Sequence, residues 1–520
     1  MLVKVFGAAV QGIDALPITI EVVVEKGFQF SIVGLADTAV RESYDRVMSA
    51  ISQSNLVPPH RDILINMSPA DVRKEGAAYD LPIALGILGA DGQVKTDRFS
   101  RFMIMGELSL DGTLLPVKGA LPMAIKAREL GFEGMLVPVA NVSEAAVVNN
   151  LDVYAVESLS QAVGFLNGVV KLKPTAVDTR AEFAKASCNF EFDFSEVKGQ
   201  PLVKRAFEVA CAGGHNILLV GPPGSGKSMM AKRLPSILPP LTLGEALETT
   251  KIHSVAGRLP RGSHLMTSRP FRSPHHTISP VALVGGGSTH PMPGEISLAH
   301  NGVLFLDEFP EFSRSVLEVM RQPLEDRHIS ISRARYSVDY PAGFMLVASM
   351  NPCPCGYYNH PTRECTCLPG TVNRYMSRIS GPLLDRIDIQ VEILPVAFEE
   401  LTADASSGES SEEIRRRVVR ARAIQTERFR DVSGMHCNAQ MGSKQMSQFA
   451  ALDHECTKVL RDAMLRLDMS ARAFDRIIRV ARTIADLDES ADIRPQHLRE
   501  AVGYRNLDRS SWGAQLPKSL

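Results

Sequence analysis

The sequence predicts an α/β fold in three parts. Residues 1–168 read as a mixed α/β domain, 193–395 as a parallel α/β nucleotide-binding core, and 396–510 as a helical domain. A linker over 169–192 and a tail over 511–520 complete the division. Three observations carry this reading. Ile217-Leu-Leu-Val220 is a buried-strand pattern that runs into Gly221-Pro222-Pro223-Gly224-Ser225-Gly226-Lys227-Ser228. This is a complete G-x-x-x-x-G-K-[ST] phosphate loop in its strand–turn–helix setting. Val303-Leu-Phe-Leu306 is a second apolar strand, and it ends in Asp307-Glu308. Beyond residue 396 the pattern becomes helical and stays so.

The whole chain sets bounds. Its 520 residues are 45% hydrophobic and 22% charged, with a net charge of −1, so no global positive field attracts a polyanion. No apolar run is long enough to span a bilayer. The first 24 residues are broken by Gln11, Asp14 and Pro17 and read as two strands, not a signal peptide. A cytoplasmic protein without a membrane partner is expected. Eight cysteines in a chain of this length are no disulfide framework.

In the first domain, β-rich runs at 2–6, 18–24, 28–33 and 62–66 alternate with helical patterns at 36–54, 78–90, 119–130 and 142–149. Lys74-Glu-Gly-Ala-Ala-Tyr-Asp-Leu-Pro-Ile-Ala-Leu and Gly106-Glu-Leu-Ser-Leu-Asp-Gly-Thr-Leu-Leu-Pro-Val-Lys-Gly resemble the proteolytic domain of Lon and the related domain of RadA. The resemblance implies a ribosomal-S5-domain-2-like fold. Ala78 stands where Lon has its nucleophilic serine, and Leu121 where it has its catalytic lysine. A Ser–Lys dyad needs a hydroxyl and an amine within reach. An inactive, structural or assembly-forming version is therefore expected. Lys74, Lys118 and Ser109 read as solvated or turn residues.

After the linker, Phe190 to Gln200 leads into a helix over 201–212 and resembles the adenine-cupping entry of AAA+ ATPases. Residues Gly221 to Met229 are the expected ATP-binding segment. Glycines let backbone N–H groups converge on phosphates, Lys227 reaches the β/γ-phosphates, and the Ser228 hydroxyl ligates Mg²⁺. Asp307 is placed to hold Mg²⁺, directly or through water, and Glu308 to polarise the attacking water. Phe344-Met-Leu-Val-Ala-Ser-Met is a third strand, and Asn351 at its end matches sensor 1 of AAA+ proteins. Ser380-Gly-Pro-Leu-Leu-Asp-Arg386-Ile-Asp resembles the arginine-finger element of that class, with Arg386 the candidate and Arg378 the second choice. Met469-Ser-Ala-Arg472 resembles the sensor 2 helix, with Arg472 the candidate and Arg476 the alternate. Residues 402–412 read as a polar connection, and the arginine-dense helix at 412–430 as a solvated face.

Residues 249–294 contain no Asp or Glu, yet hold Lys251, Arg258, Arg261, Arg269, Arg272 and five histidines. Such a stretch reads either as loops facing a polyanion or as cations satisfied by acids elsewhere. Arg269 and Arg272 are the DNA-contact candidates there. Arg327-His-Ile-Ser-Ile-Ser-Arg333-Ala-Arg335-Tyr336 alternates like a strand that turns and returns. Arg333 and Arg335 lie near its tip, and Tyr336 can stack on a base. The two features match the helix-2 insertion and pre-sensor-1 hairpin of one AAA+ clade. Cys353, Cys355, Cys365 and Cys367 form C-x-C-x₉-C-x-C, which fits structural Zn²⁺, redox-active thiols or buried thiols, with His360 a substitute ligand.

Over nearly its full length the chain resembles the ComM/YifB family of magnesium-chelatase-like AAA+ proteins. The resemblance implies an ATP- and Mg²⁺-dependent ring, a homo-hexamer, acting on single-stranded or branched DNA with a recombinase as a further partner. It implies a helicase or translocase that promotes branch migration in recombination during natural transformation. The alternative is a chelatase-type motor remodelling a protein partner, although no D-x-S-x-S motif is present.

Overall fold

The computed structural model describes residues 1–179, 183, 190–260, 264–287, 291–333, 336–396, 408–432, 434–467 and 469–505. Most of the expected polar connection, part of the linker and the C-terminal tail lie outside the described residues.

The N-terminal sequence alternates because it forms an antiparallel pair, Leu2–Gln11 with Asp14–Glu25. Among the described residues these strands sit in a seven-stranded mixed sheet. Its order is Phe30–Val33, Asp62–Ser68, Asp14–Glu25, Leu2–Gln11, Phe102–Ile104, Gly134–Pro138, Asp152–Val156. The last three strands are parallel and escape the sequence reading. Phe102–Ile104 is three residues long, and Gly134–Pro138 is buried throughout, so neither shows alternation. The Asp80–Ala90 helix is buried on nearly every side. The expected 36–54 helix is two, Thr38–Arg41 and Ser43–Gln53, with Asp37 capping the first.

Two further cores follow. A parallel sheet runs in the order Phe271–Arg272, Val303–Leu306, Met345–Met350, Ile217–Val220, Ile389–Glu392. Ile217–Val220 is buried at every position, as its unbroken apolar run requires. One face of this sheet packs on the Pro201–Gly213 helix and the C-terminal helices; the other packs under a two-stranded ribbon, His328–Arg333 with Tyr336–Pro341. The ribbon buries Ile329, Ile331, Val338 and Tyr340 and exposes Ser330, Ser332, Ser337 and Asp339.

The first domain is not a free appendage. The Leu243–Ala256 helix, opened by a Thr242–Glu245 capping box, belongs to the second part of the sequence but packs on the first. Leu241, Ala246 and Leu265 join the N-terminal core. Buried Glu144 accepts hydrogen bonds from the Ser254 hydroxyl and from Leu121 N–H, the latter at 2.9 Å. Burial raises the Glu144 pKa against those two donors. Lys251 reaches Asp14 at 2.9 Å. Leu121 is itself fully buried, and Ala78 lies half-buried in a short 3-10 turn.

Lys74 departs from the reading as a solvated residue. Its side chain is buried, and its ammonium donates to the Pro69 carbonyl. Burial lowers its pKa. The arginines of the Ser411–Arg428 helix also do more than face water. Arg422 donates to the carbonyls of Cys211 and Ala212 at 2.9 and 3.1 Å, and Arg417 pairs with Glu208 on the Pro201–Gly213 helix.

Candidate functional site

The site lies at the carboxyl ends of the three central strands, where ligands gather in open parallel sheets. Ile217–Val220 ends at Gly221, and the chain crosses a turn before the Lys227–Ile237 helix. Gly224 and Gly226 hold φ of +77° and +87°, which side chains disfavour. A Cβ on Gly221 would stand 2.7 Å from the Ile393 carbonyl oxygen. The turn therefore needs its glycines. Ser225 Oγ is buried with no partner among the described residues, an orphan suited to an acceptor held in the loop. Met229 is exposed at the mouth.

Four of the expected polar side chains converge here. Lys227 Nζ donates to the carbonyls of Gly221 and Pro222 at 2.7 and 2.8 Å and to Asn351 Oδ1 at 3.2 Å. Burial pulls the Lys227 pKa down, against the attraction of Asp307. Ser228 Oγ donates to Asp307 Oδ2 at 2.6 Å. The other Asp307 oxygen accepts from the Ser349 hydroxyl and from Glu308 N–H, the latter at 3.1 Å. A hydroxyl beside a fixed carboxylate fits a hard, oxygen-binding cation such as Mg²⁺. Glu308 follows in a left-handed conformation, φ +54°, with its side chain 60% exposed. His276 Nδ1 is 3.4 Å from its carboxylate.

Ser349 and the His276–Glu308 contact are not visible in the sequence. Ser349 is a small polar residue inside a strand buried at every position, and only the pairing of Met345–Met350 with Val303–Leu306 puts it beside Asp307. His276 stands in the sequence only as one of several histidines in the acid-free stretch.

The arginines divide. Arg269, a DNA-contact candidate, is engaged within the fold. It is 11% exposed and paired with Glu245 at 3.1 Å, and it donates to the carbonyls of Pro239 and Asn301 at 2.7 Å each. Arg272 is likewise spent, on both oxygens of Glu295 at 2.6 and 2.8 Å. These two cations of the acid-free stretch are thus neutralised by acids just outside it. Arg333 and Tyr336 are register partners at the ends of the ribbon strands, and Arg335 lies outside the described residues.

Arg386 is 11% exposed, paired with Glu325, and donates to the Pro382 carbonyl at 2.6 Å. With Glu325, Ile329 and Val281 it lines an open cavity of about 650 Å³. Arg378 pairs with Glu311 at 2.9 Å. Arg472 is 64% exposed and lies 3.7 Å from Asp385. Arg476 is 16% exposed, pairs with buried Asp388 at 2.6 Å and ties the Ala471–Leu487 helix to the sheet.

The four loop cysteines come together. Cys353 Sγ lies 3.3 Å from Cys355 and 3.7 Å from Cys365, Cys355 lies 3.6 Å from Cys365, and all four sulfurs fall within 4.8 Å of one another. His360 Nδ1 instead accepts backbone N–H groups of Thr362 and Arg363. A tetrahedral thiolate site has sulfur–sulfur edges of about 3.8 Å, so the donor set fits zinc.

A parallel sheet of this order, a phosphate loop, a carboxylate pair and a helical domain behind them define an AAA+ ATPase, an ATP-hydrolysing protein that uses Mg²⁺. Comparison with known proteins narrows the class. Residues 193–401 match the family model "Magnesium chelatase, subunit ChlI", 20–141 match "Subunit ChlI of Mg-chelatase", and 408–505 match "Magnesium chelatase, subunit ChlI C-terminal". Protein YifB of Escherichia coli strain K12 is 43% identical over 96% of each chain. Competence protein ComM of Haemophilus influenzae is 42% identical over 98% of each. The chain belongs to the YifB/ComM family of magnesium-chelatase-like proteins. A weaker likeness, 23% identity over 27% of this chain and 25% of the relative, links it to Lon protease 2 of Bacillus subtilis. No helix among the described residues is long and apolar enough to cross a membrane.

Proposed function

We propose that the chain is an ATP-driven DNA translocase or helicase that works as a homo-oligomeric ring, a hexamer, and promotes branch migration in recombination during natural transformation. The observation that carries the reading is the two-stranded ribbon between the carboxylate strand and the Asn351 strand, with Arg333 at its tip, in a chain similar end to end to a competence protein. The ribbon corresponds to a pre-sensor-1 hairpin, and residues 249–294 to a helix-2 insertion. Ribbon tips around a central pore, moved by turnover, pull a threaded strand. Residues 1–168 form the inactive Lon-like domain of this motor.

In this reading Lys227 and the loop N–H groups bind the β/γ-phosphates. Ser228 and Asp307 hold Mg²⁺, which supplies neutralisation of phosphate charge. Ser349 fixes Asp307 in place. Glu308 takes a proton from the attacking water, and Asn351 orients that water. Arg386 leaves Glu325 to reach a neighbouring protomer's phosphates, and Arg472 meets the nucleotide from the helical domain. A structural zinc on Cys353, Cys355, Cys365 and Cys367 belongs to the same reading. The test is the ATPase rate with and without single-stranded DNA, alongside mass by light scattering. DNA should raise the rate several-fold and favour the ring.

The ChlI-type family models favour a second reading, a motor remodelling a protein partner. An ATPase stimulated by a protein and indifferent to DNA would select it.

A further inference from the structure

We propose that a zinc ion held by the four-cysteine loop braces the phosphate loop, so that nucleotide affinity depends on the metal. The inference rests on the reading of residues 221–228 as the ATP site and of the cysteines as zinc ligands. What it adds is the physical link between them.

The link begins with how little else shapes the loop. Residues 351–370 contain no helix or strand, and beyond Pro352, Cys353 and Gly356 none of them is buried. A polar segment of this length cannot fix itself by burying apolar surface and needs a cross-link. Its four cysteines are free thiols gathered at one point, not disulfides. A bound tetrahedral ion supplies the missing constraint, because such sites contribute folding energy outright.

The loop touches the nucleotide site at two places. At its start, Asn351 is two residues from the buried Cys353 and accepts the Lys227 ammonium at 3.2 Å. Further on, Gly356 follows Cys355 directly and sits at φ +84° against the Pro223 ring. Its hydrogen is the only substituent that fits: any Cβ there would clash with that ring. Gly356 N–H also donates to the Cys353 carbonyl at 3.0 Å, so the glycine is fixed by the cysteines on its own loop. Pro223 is the third residue of the phosphate loop, so the cysteine loop forms one wall behind it. When the metal leaves, that wall loosens, and Asn351 and Pro223 lose their fixed positions together. Redox or chelation chemistry at the sulfurs is thereby coupled to ATP binding more than to folding of the sheet, whose core lies elsewhere.

The test uses the full chain and two readouts. Zinc is counted by mass spectrometry of the purified protein and by colorimetric release on mercurial titration. Affinity for a fluorescent ATP analogue is measured on separate, mercurial-free protein before zinc is removed with a chelator, after removal, and after zinc is returned. About one zinc per chain is expected, with nucleotide affinity falling about tenfold on release and recovering on return. Cys365→Ser/Cys367→Ser should lose the metal and show the same fall, with far-UV circular dichroism unchanged. Gly356→Val should keep its zinc and still bind nucleotide weakly, which separates the brace from the metal. A chain that neither retains nor takes up zinc overturns the proposal. So does a zinc-loaded chain whose nucleotide affinity is indifferent to zinc removal. Zinc-loaded protein that binds no nucleotide at all would instead overturn the ATPase reading, and the brace with it.

Discussion

Arg269 and Arg333 look alike in the sequence, two arginines in acid-poor surroundings, yet their substitutions have different expected effects. Arg269 is a buried partner of Glu245, which lies 24 residues upstream, just outside the acid-free window. Removing a buried cation leaves its carboxylate unpaired and costs about 3–5 kcal/mol. Arg269→Met should therefore lower the thermal midpoint while leaving DNA affinity per folded molecule unchanged. Arg333→Ala/Arg335→Ala should do the reverse, keeping stability and reducing the salt slope of DNA binding by about one for each phosphate no longer neutralised. Fluorescence anisotropy over a salt series, beside a melting curve, reads both. Lys227, Ser228, Asp307 and Asn351 were legible because each follows a strand in an unbroken local motif. The partners of Arg269, Lys74 and Glu308 were not, because each is made by chain segments meeting across the fold.

At the scale of elements, the joint between the Ala471–Leu487 helix and the sheet turns on a buried polar group. Asp388, at the start of the strand Ile389–Glu392, accepts from Arg476 at 2.6 Å and from Asn216 N–H at 3.0 Å. Its other neighbour is His215 Nδ1 at 3.6 Å, whose Nε2 meets Thr483 Oγ1 at 2.8 Å. Burial by itself would raise Asp388, but Arg476 and His215 together hold its carboxyl well below the usual carboxylate range. Burial lowers the His215 pKa, more than Asp388 restores it and with Arg476 and Arg479 adding to the fall. Both folded values are depressed, so the unfolded chain binds more protons in acid and stability falls as pH falls. The loss begins below about 6.5, the free imidazole value, and deepens below about 3.9, the free aspartate value. Denaturant midpoints between pH 8 and pH 4 should fall, and His215→Gln should flatten the upper part of that fall. Arg476, the alternate for a nucleotide contact, is the residue that seats this helix. That a helix stands here was legible from its resemblance to a sensor 2 helix, but which of its arginines faced inward was not.

At the scale of the molecule, the N-terminal domain is joined to the ATPase part through the Leu243–Ala256 helix and its own first turn. Its core includes Ala246 and Leu265, and its first turn carries Ile13 onto the cluster beneath the ribbon. The Leu243–Ala256 helix thus has one side on each part. On the proposed translocase reading, motion of the ribbon or of this helix would reach the N-terminal sheet through that shared packing. The seam was not visible in the sequence, since nothing local marks a helix as shared between two cores. The Phe102–Ile104 and Gly134–Pro138 strands were hidden for a related reason, since short buried parallel strands carry no alternation, and Asp152–Val156 is a five-residue edge strand without regular alternation.

Displacement of a labelled strand from a mobile branched DNA junction tests the whole account most directly. Wild-type protein with ATP and Mg²⁺ should drive the exchange. Lys227→Ala should abolish it, and Arg333→Ala/Arg335→Ala should slow it at least about tenfold while keeping nucleotide binding. Exchange that proceeds at the wild-type rate with both ribbon arginines removed, or a wild-type ATPase that leaves the junction untouched, would contradict it.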